Sequence, residues 1–389
     1  MTLRVLHFSN STVRGGAEEH MLTLLTGLDR SRFTLALACP AELVPLLPDL
    51  PEDVTVTTLV PRGPGDVRTG WRLAHWLRSQ GVDVVHAHLS CASRAVAPWA
   101  RLGGVGVTVE TPHVRESWRR GWKRSYVLDR AVGAFVDAYI AVSGANARHL
   151  VEEVRLPARK IRTIRNGIDV ERFAPGAARP DPRPALGITR SEVLLVCAAR
   201  LEPQKGHAVL LEALGRLPPS VRGGLRLACL GEGRLLPALR QQARQLGLDD
   251  RVVFAGYTRH MDHWLAAADI FVLPSLYEGL PLVAMEACAA GCAVVATAVD
   301  GTPEVISHGH NGLLVPPGDA GALAEAILRL ARNVVLRSAL GEEGRWRARR
   351  EFSAERQIAA TAEFYDHLYA ARRHPRPAAA EALVQPRSA

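Results

Sequence analysis

The densest chemistry in the sequence lies in Pro274-Ser275-Leu276-Tyr277-Glu278-Gly279-Leu280-Pro281-Leu282-Val283-Ala284-Met285-Glu286, where two glutamates are separated by seven residues. Glu278 precedes a glycine-containing turn, and Glu286 falls about one turn into an apolar helix. That spacing predicts both carboxylates near one helix end. The N–H groups around Gly279–Leu282 would face a bound anion there, while the carboxylates accept from sugar hydroxyls. Buried glutamates need such partners, and a polyhydroxylated ligand supplies them; a solvated turn is the plainer alternative. Upstream, Arg200-Leu201-Glu202-Pro203-Gln204-Lys205-Gly206 sets two cations after an apolar strand and before the apolar helix His207–Leu217. Arg200 and Lys205 can converge on one anionic group such as a diphosphate; two surface charges is the alternative.

The first half carries a second constellation. Arg14-Gly15-Gly16-Ala17-Glu18 follows the first strand and opens the first helix. Gly15 and Gly16 let backbone approach a ligand, and a helix N-terminus offers free N–H groups to an anion. The run is neither G-x-G-x-x-G nor a Walker loop. His86-Ala87-His88 and Thr111-Pro112-His113 each sit at the carboxyl end of a predicted parallel strand, where open α/β sheets place their ligands. Alternate histidines share a strand face, but a third ligand at recognisable spacing is missing, so no metal is expected. His113 is expected instead as a hydrogen-bonding site residue.

Positioning these residues takes two series of apolar strands alternating with helix-length segments. The first series is Arg4–Ser9, Val82–His86, Val107–Glu110 and Ala138–Val142. The second is Val193–Ala198, Arg226–Leu230, Val252–Ala255, Ile270–Pro274 and Ala293–Ala296. Continuous apolar strands alternating with helices imply parallel sheets, and two series suggest two doubly wound domains. The length of 389 residues suits about two cores. Four prolines in the eleven residues Ala174–Pro184 mark a linker. The expected organisation is therefore an N-terminal domain over 1–175, a linker over 176–190, a second domain over 191–353, a helix over 354–371 and a disordered tail over 372–389.

Hydrophobic residues make up 48% and charged residues 22%, a globular composition. The sequence has no long uncharged apolar run, and its N-terminus does not resemble a signal peptide, so a cytoplasmic location is expected. The six cysteines show neither C-x-x-C nor zinc spacing and read as small buried hydrophobes. A net charge of +9 raises the question of nucleic acid. The excess is concentrated instead, with six basic against two acidic residues in 113–130. In Arg115–Tyr126, Trp118 and Trp122 are four apart and would share a helix face beside arginines. Such a surface suits a lipid-linked or anionic acceptor, or peripheral contact with the inner face of a membrane; a solvated basic helix with inward tryptophans is the alternative.

With these residues in view, the chain resembles the retaining glycosyltransferases of family 4, which have the GT-B fold. The resemblance runs from about residue 3 to 370. It rests on Gly15-Gly16-Ala17-Glu18, Thr111-Pro112-His113, Ala141-Val142-Ser143, Asn166-Gly167-Ile168-Asp169 with Arg172-Phe173, Arg200 to Lys205-Gly206, Gly231-Glu232-Gly233, and Glu278 to Glu286, in family order. It implies two Rossmann-like domains facing a cleft, with a nucleotide-diphosphate sugar held mainly by the second. By resemblance, Arg200 and Lys205 would bind the diphosphate, Glu286 the ribose, and Glu278 the donor sugar. The run Gly279, Leu280, Pro281 and Leu282 would hold phosphate and sugar, joined by Gly231, and Gly15 and Gly16 would approach from the first domain. His113 would sit near the reacting carbon, and neither metal nor other cofactor would be required. A phosphorylase- or synthase-like enzyme on the same fold, and a silent nucleotide-binding scaffold, are the competing readings.

Overall fold

A computed structural model of the chain describes residues 2–63, 65–113, 126–176 and 179–373. Strands β1 (Leu3–Phe8), β2 (Phe33–Ala38), β3 (Thr55–Thr57), β4 (Val84–His88), β5 (Val107–Thr111), β6 (Ala138–Ala141) and β7 (Ile161–Thr163) form a seven-stranded sheet in the order β3-β2-β1-β4-β5-β6-β7. Strands β8 (Val193–Ala198), β9 (Leu225–Leu230), β10 (Val252–Gly256), β11 (Ile270–Leu273), β12 (Ala293–Thr297) and β13 (Leu313–Val315) form a six-stranded sheet in the order β10-β9-β8-β11-β12-β13. All pairings among these strands are parallel. The architecture is thus α/β, two Rossmann-like doubly wound domains.

The strands are parallel because their residues are apolar on both faces. In β11, Ile270, Phe271, Val272 and Leu273 are all buried, alternating between the two cores that cover the second sheet. Each sheet reverses strand order once, between β1 and β4 and between β8 and β11. Chain crossovers diverge at such points and open a crevice beyond the carboxyl ends of the strands.

The two domains touch along one side of that crevice. Glu304 of the second accepts from the N–H groups of Gly144 and Ala145 at 3.1 and 2.9 Å, capping the helix Gly144–Glu152 of the first. Asn166 donates through Nδ2 to the carbonyl of Leu280 at 3.1 Å. The short helix Val170–Phe173 precedes the proline-rich run, yet its Val170 and Phe173 join the second domain's core.

The last helix, Ala354–Arg373, returns to the first sheet. Tyr365 is fully buried in that domain's core, and the Tyr369 hydroxyl donates to Asp83 Oδ1 at 2.7 Å. Among the described residues no helix is long and apolar enough to cross a membrane. Trp118, Trp122 and their neighbouring arginines lie outside the described residues, as does the chain beyond 373.

Candidate active site

Residues from both crevices meet at the interface. After β11 the chain turns through Ser275–Pro281 into the helix Leu282–Ala290. In this turn Lys205 Nζ donates to Glu278 Oε1 at 2.5 Å, and the Ser275 hydroxyl donates to the same oxygen at 2.7 Å. Oε2 of this buried carboxylate has no hydrogen bond among the described residues. The Glu278 N–H is fixed by Asp300 Oδ2 at 2.9 Å, from the turn after β12. Lys205 and Glu278 are thus brought into direct contact.

Arg200, in contrast, is exposed and reaches the group only indirectly. Its Nη2 lies 3.5 Å from Gln204 Oε1, and Gln204 is tied to the turn through Tyr277 O at 3.0 Å and the Leu276 N–H at 2.8 Å. Arg200 and Lys205 stand on the same loop but share no acceptor among the described residues; their convergence requires a ligand.

The run Gly279–Leu282 is where the two domains come closest. A Cβ on Gly279 would lie 1.8 Å from the carbonyl oxygen of His113, so only glycine fits. Pro281 carries no N–H, which leaves Gly279, Leu280 and Leu282 as the amide donors of the run. None of those three N–H groups has an acceptor among the described residues. The first helix begins at Gly16, and a Cβ there would sit 3.9 Å from the Leu282 side chain, so two helix N-termini adjoin. Gly15 donates its N–H to Glu18 Oε2 at 3.0 Å, which leaves the next amides of that helix free of the cap. Gly231 packs against the strand end on the other side: φ is +133° and a Cβ would meet Ala199 O at 2.2 Å. Two adjoining helix starts place partial positive charge and unsatisfied N–H groups at one point, an arrangement suited to an anion.

Glu286, in the helix Leu282–Ala290, does not join the Lys205–Glu278 cluster. It makes no hydrogen bond or ion pair among the described residues. Burial, followed by the nearby Glu19 charge, pushes its carboxyl up to about 7. Glu19 itself is held by Arg14 at 2.6 Å. Both glutamates stand toward the start of this helix, without touching each other's partners. Pro281 caps the helix, so Glu278 lies in the turn before it while Glu286 lies inside it.

The histidines form a larger group than their spacing shows. His113, at the end of β5, is buried, and its Nε2 lies 3.2 Å from His88 Nδ1. His88 Nε2 lies 3.0 Å from His7 Nδ1. His86 is held between the Tyr365 hydroxyl at 2.5 Å and the Thr111 hydroxyl at 2.6 Å. His20 meets Asn166 Oδ1 at 2.9 Å and Gln357 Nε2 at 3.0 Å.

Burial lowers every one of these imidazoles, His7 to about 3 and His20 to about 4, so all are neutral. The third imidazole that spacing failed to reveal is supplied by the fold, because β1 pairs with β4. His7, His86 and His88, and likewise His20, His88 and His113, bring candidate ligand atoms within 4.8 Å of one another. His88 belongs to both triplets, and each of its ring nitrogens already meets another imidazole. Ser275, Asp300, His7 and His20 are the site residues that sequence reasoning missed. Ser275 lies within the Pro274–Glu286 segment without standing out there, whereas Asp300, His7 and His20 belong to no motif and are brought in by the fold.

Two parallel-sheet domains with cations, amides and carboxylates lining the cleft between them define the GT-B class. Residues 14–172 match Glycosyltransferase Family 4 and residues 192–333 match Glycosyl transferases group 1. EpsF of Bacillus subtilis, whose name specifies a glycosyltransferase but no donor or acceptor, is 31% identical over 74% of this chain and 77% of its own. The Escherichia coli UDP-Gal:alpha-D-GlcNAc-diphosphoundecaprenol alpha-1,3-galactosyltransferase is 27% identical over 70% of this chain and 72% of its own. Anabaena HepE, solved in complex with UDP-glucose, superimposes with a TM-score of 0.84 at 22% identity, covering 94% of this chain and 100% of that one. The chain belongs to glycosyltransferase family 4 and is a glycosyltransferase of GT-B fold.

Proposed function

We propose that this protein transfers a hexosyl group, with retention of anomeric configuration, from a UDP- or GDP-sugar to a hydroxyl of a glycan, lipid-linked or small-molecule acceptor in cell-surface polysaccharide or glycoconjugate synthesis. The observation that carries the reading is the meeting of unsatisfied amides at Gly279, Leu280 and Leu282 with the start of the first helix, beside Lys205. A diphosphate satisfies these donors together. Lys205 and Arg200 bind it and stabilise the charge it gains as the glycosidic bond breaks, where preorganised donors act most strongly. Lys205 can turn from Glu278 to phosphate because the Ser275 hydroxyl still donates to the same carboxylate oxygen.

Glu278 then accepts from donor-sugar hydroxyls through Oε2, and Glu286 accepts from the ribose. Gly15, Gly16 and Gly231 line the diphosphate, and His113 lies against the sugar near the reacting carbon. The transition state is cationic at that carbon, and the departing phosphate on the same face assists acceptor attack, which yields retention without an enzyme nucleophile. With domain limits near 175 and 191, donor and acceptor bind on opposite walls of the cleft in this reading. The E. coli relative, named for a lipid-diphosphate acceptor, supports a lipid-linked acceptor here, with residues 115–126 contacting the membrane surface. Thermal-shift measurement with UDP-, GDP-, ADP- and dTDP-sugars tests the donor class. A UDP- or GDP-sugar should stabilise most, and no stabilisation by any of them would refute the reading.

A further inference from the structure

His7, His88 and His113 form one hydrogen-bonded file of imidazoles under the cleft. The rings of His7 and His88 are 5.3 Å apart and 17° from parallel, and those of His88 and His113 are 5.5 Å apart and 20° from parallel. All three are buried, and among the described residues no carboxylate is a hydrogen-bond partner of any of them. A neutral imidazole has one N–H and one lone pair. His88 uses both nitrogens, so it must donate at one end and accept at the other, and one binary choice sets the direction of the whole file.

The inner end decides that choice. His7 Nε2 is buried with no partner. If His113 donated inward, His7 would carry its hydrogen there, as an orphaned buried N–H, which folded proteins avoid more strictly than an unused acceptor. The opposite direction leaves only a lone pair at that point. His7 Nδ1–H then donates to His88 Nε2, His88 Nδ1–H donates to His113 Nε2, and the hydrogen of His113 resides on Nδ1. That Nδ1 has no hydrogen bond among the described residues. The backbone immediately after His88 is strained, with Leu89 at φ +76° and ψ 150°, a conformation a leucine holds only when its surroundings impose it.

We propose that His88, oriented by His7, is a positioning residue that holds His113 in the Nδ1–H tautomer, so that His113 presents a hydrogen-bond donor to the cleft. His113 in this state cannot serve as a base through Nδ1; it supplies a hydrogen bond to an oxygen of the bound sugar. That last assignment rests on the glycosyltransferase reading, whereas the tautomer does not.

The test uses the full chain with 15N in the histidine rings. Long-range 1H–15N spectra at pH 8 are assigned through single histidine variants. The expected result is Nδ1–H at His7, His88 and His113. His88→Leu should release His113 from that tautomer and lower kcat at least tenfold with a smaller change in donor KM. His88→Asn, whose amide can still donate, should restore the tautomer and most of the rate.

Nε2–H at His113 in the unaltered protein would overturn the proposal, even if the His88→Leu chain does not fold. So would a His113 tautomer that is unchanged in His88→Leu. Uptake of one equivalent of Zn2+ with loss of the ring N–H signals would also overturn it, making the file a metal site. The predicted tautomers with no turnover of any sugar nucleotide would refute the glycosyltransferase reading alone.

Discussion

Lys205 and Glu278 neutralise each other at 2.5 Å in a largely enclosed turn, so each is the other's main electrostatic partner. Lys205→Ala leaves a buried carboxylate with only Ser275 to satisfy it. We predict a stability loss of about 3–5 kcal/mol by denaturant titration together with loss of turnover. Lys205→Ala combined with Glu278→Gln should regain most of that stability but none of the turnover, separating folding from chemistry. Glu286 gives a second residue-scale prediction. Its carboxyl titrates near 7, and in the proposed ribose contact the ionised form is the stronger acceptor. Affinity for a nucleotide sugar, whose diphosphate does not titrate in this range, should therefore weaken as pH falls below about 7. Glu286→Gln should bind more weakly with a flat pH profile; a sloping profile in that variant would remove Glu286 from the binding site.

At the scale of elements, the turn before the helix Leu282–Ala290 requires glycine at 279. Gly279→Ala puts a methyl within 1.8 Å of His113 O and must push the two domains apart there. We expect kcat/KM to drop by roughly a hundredfold, as for a misplacement of about 1 Å in a site, while each domain stays folded by circular dichroism. The last helix is fastened through Tyr365 to His86, so Tyr365→Phe leaves a buried ring nitrogen short of a partner. Its expected cost is about 1–3 kcal/mol in chemical denaturation.

Most of the longer apolar strands were legible: β8 falls where its sequence run does, at Val193–Ala198, whereas the equally long β2, Phe33–Ala38, is missing from the sequence-based series. The three-residue strands β3, β7 and β13 were not, because so short a run has no period and edge pairing supplies the rest. Glu278 and Gly279 stand out because turn chemistry and charge coincide in one segment, and Lys205 because it follows Arg200 in another; their contact across 73 residues was not legible. His7 and His20 were not legible either, since each is a single histidine in an apolar element. They matter only after β1 lies beside β4 and the first helix crosses both.

Across the whole molecule, five neutral imidazoles couple folding to pH. Their folded values lie below the ordinary 6.5, with His7 near 3 and His20 near 4. The unfolded chain therefore binds more protons below about 6.5. Their contribution is fully present above that pH and is lost as pH falls toward the folded values, by up to about 1.4 kcal/mol per histidine per pH unit. The midpoint of thermal unfolding should fall steeply from pH 6.5 to 4.5, and His7→Gln should make the slope shallower. A slope unchanged in that variant would place the titration elsewhere.

The same molecule-wide frame sets two parallel sheets so that their strand ends face one cleft, and the charge pattern of that cleft makes a nucleotide-diphosphate sugar the central claim. The most direct measurement incubates the protein with the best-stabilising nucleotide sugar and a panel of soluble and lipid-linked hydroxyl acceptors. Product is followed by 1H NMR of the anomeric proton and by release of nucleoside diphosphate. The account predicts one nucleoside diphosphate per linkage formed and a linkage of the same anomeric configuration as the donor. An inverted linkage, or transfer to inorganic phosphate in place of a hydroxyl acceptor, would contradict it.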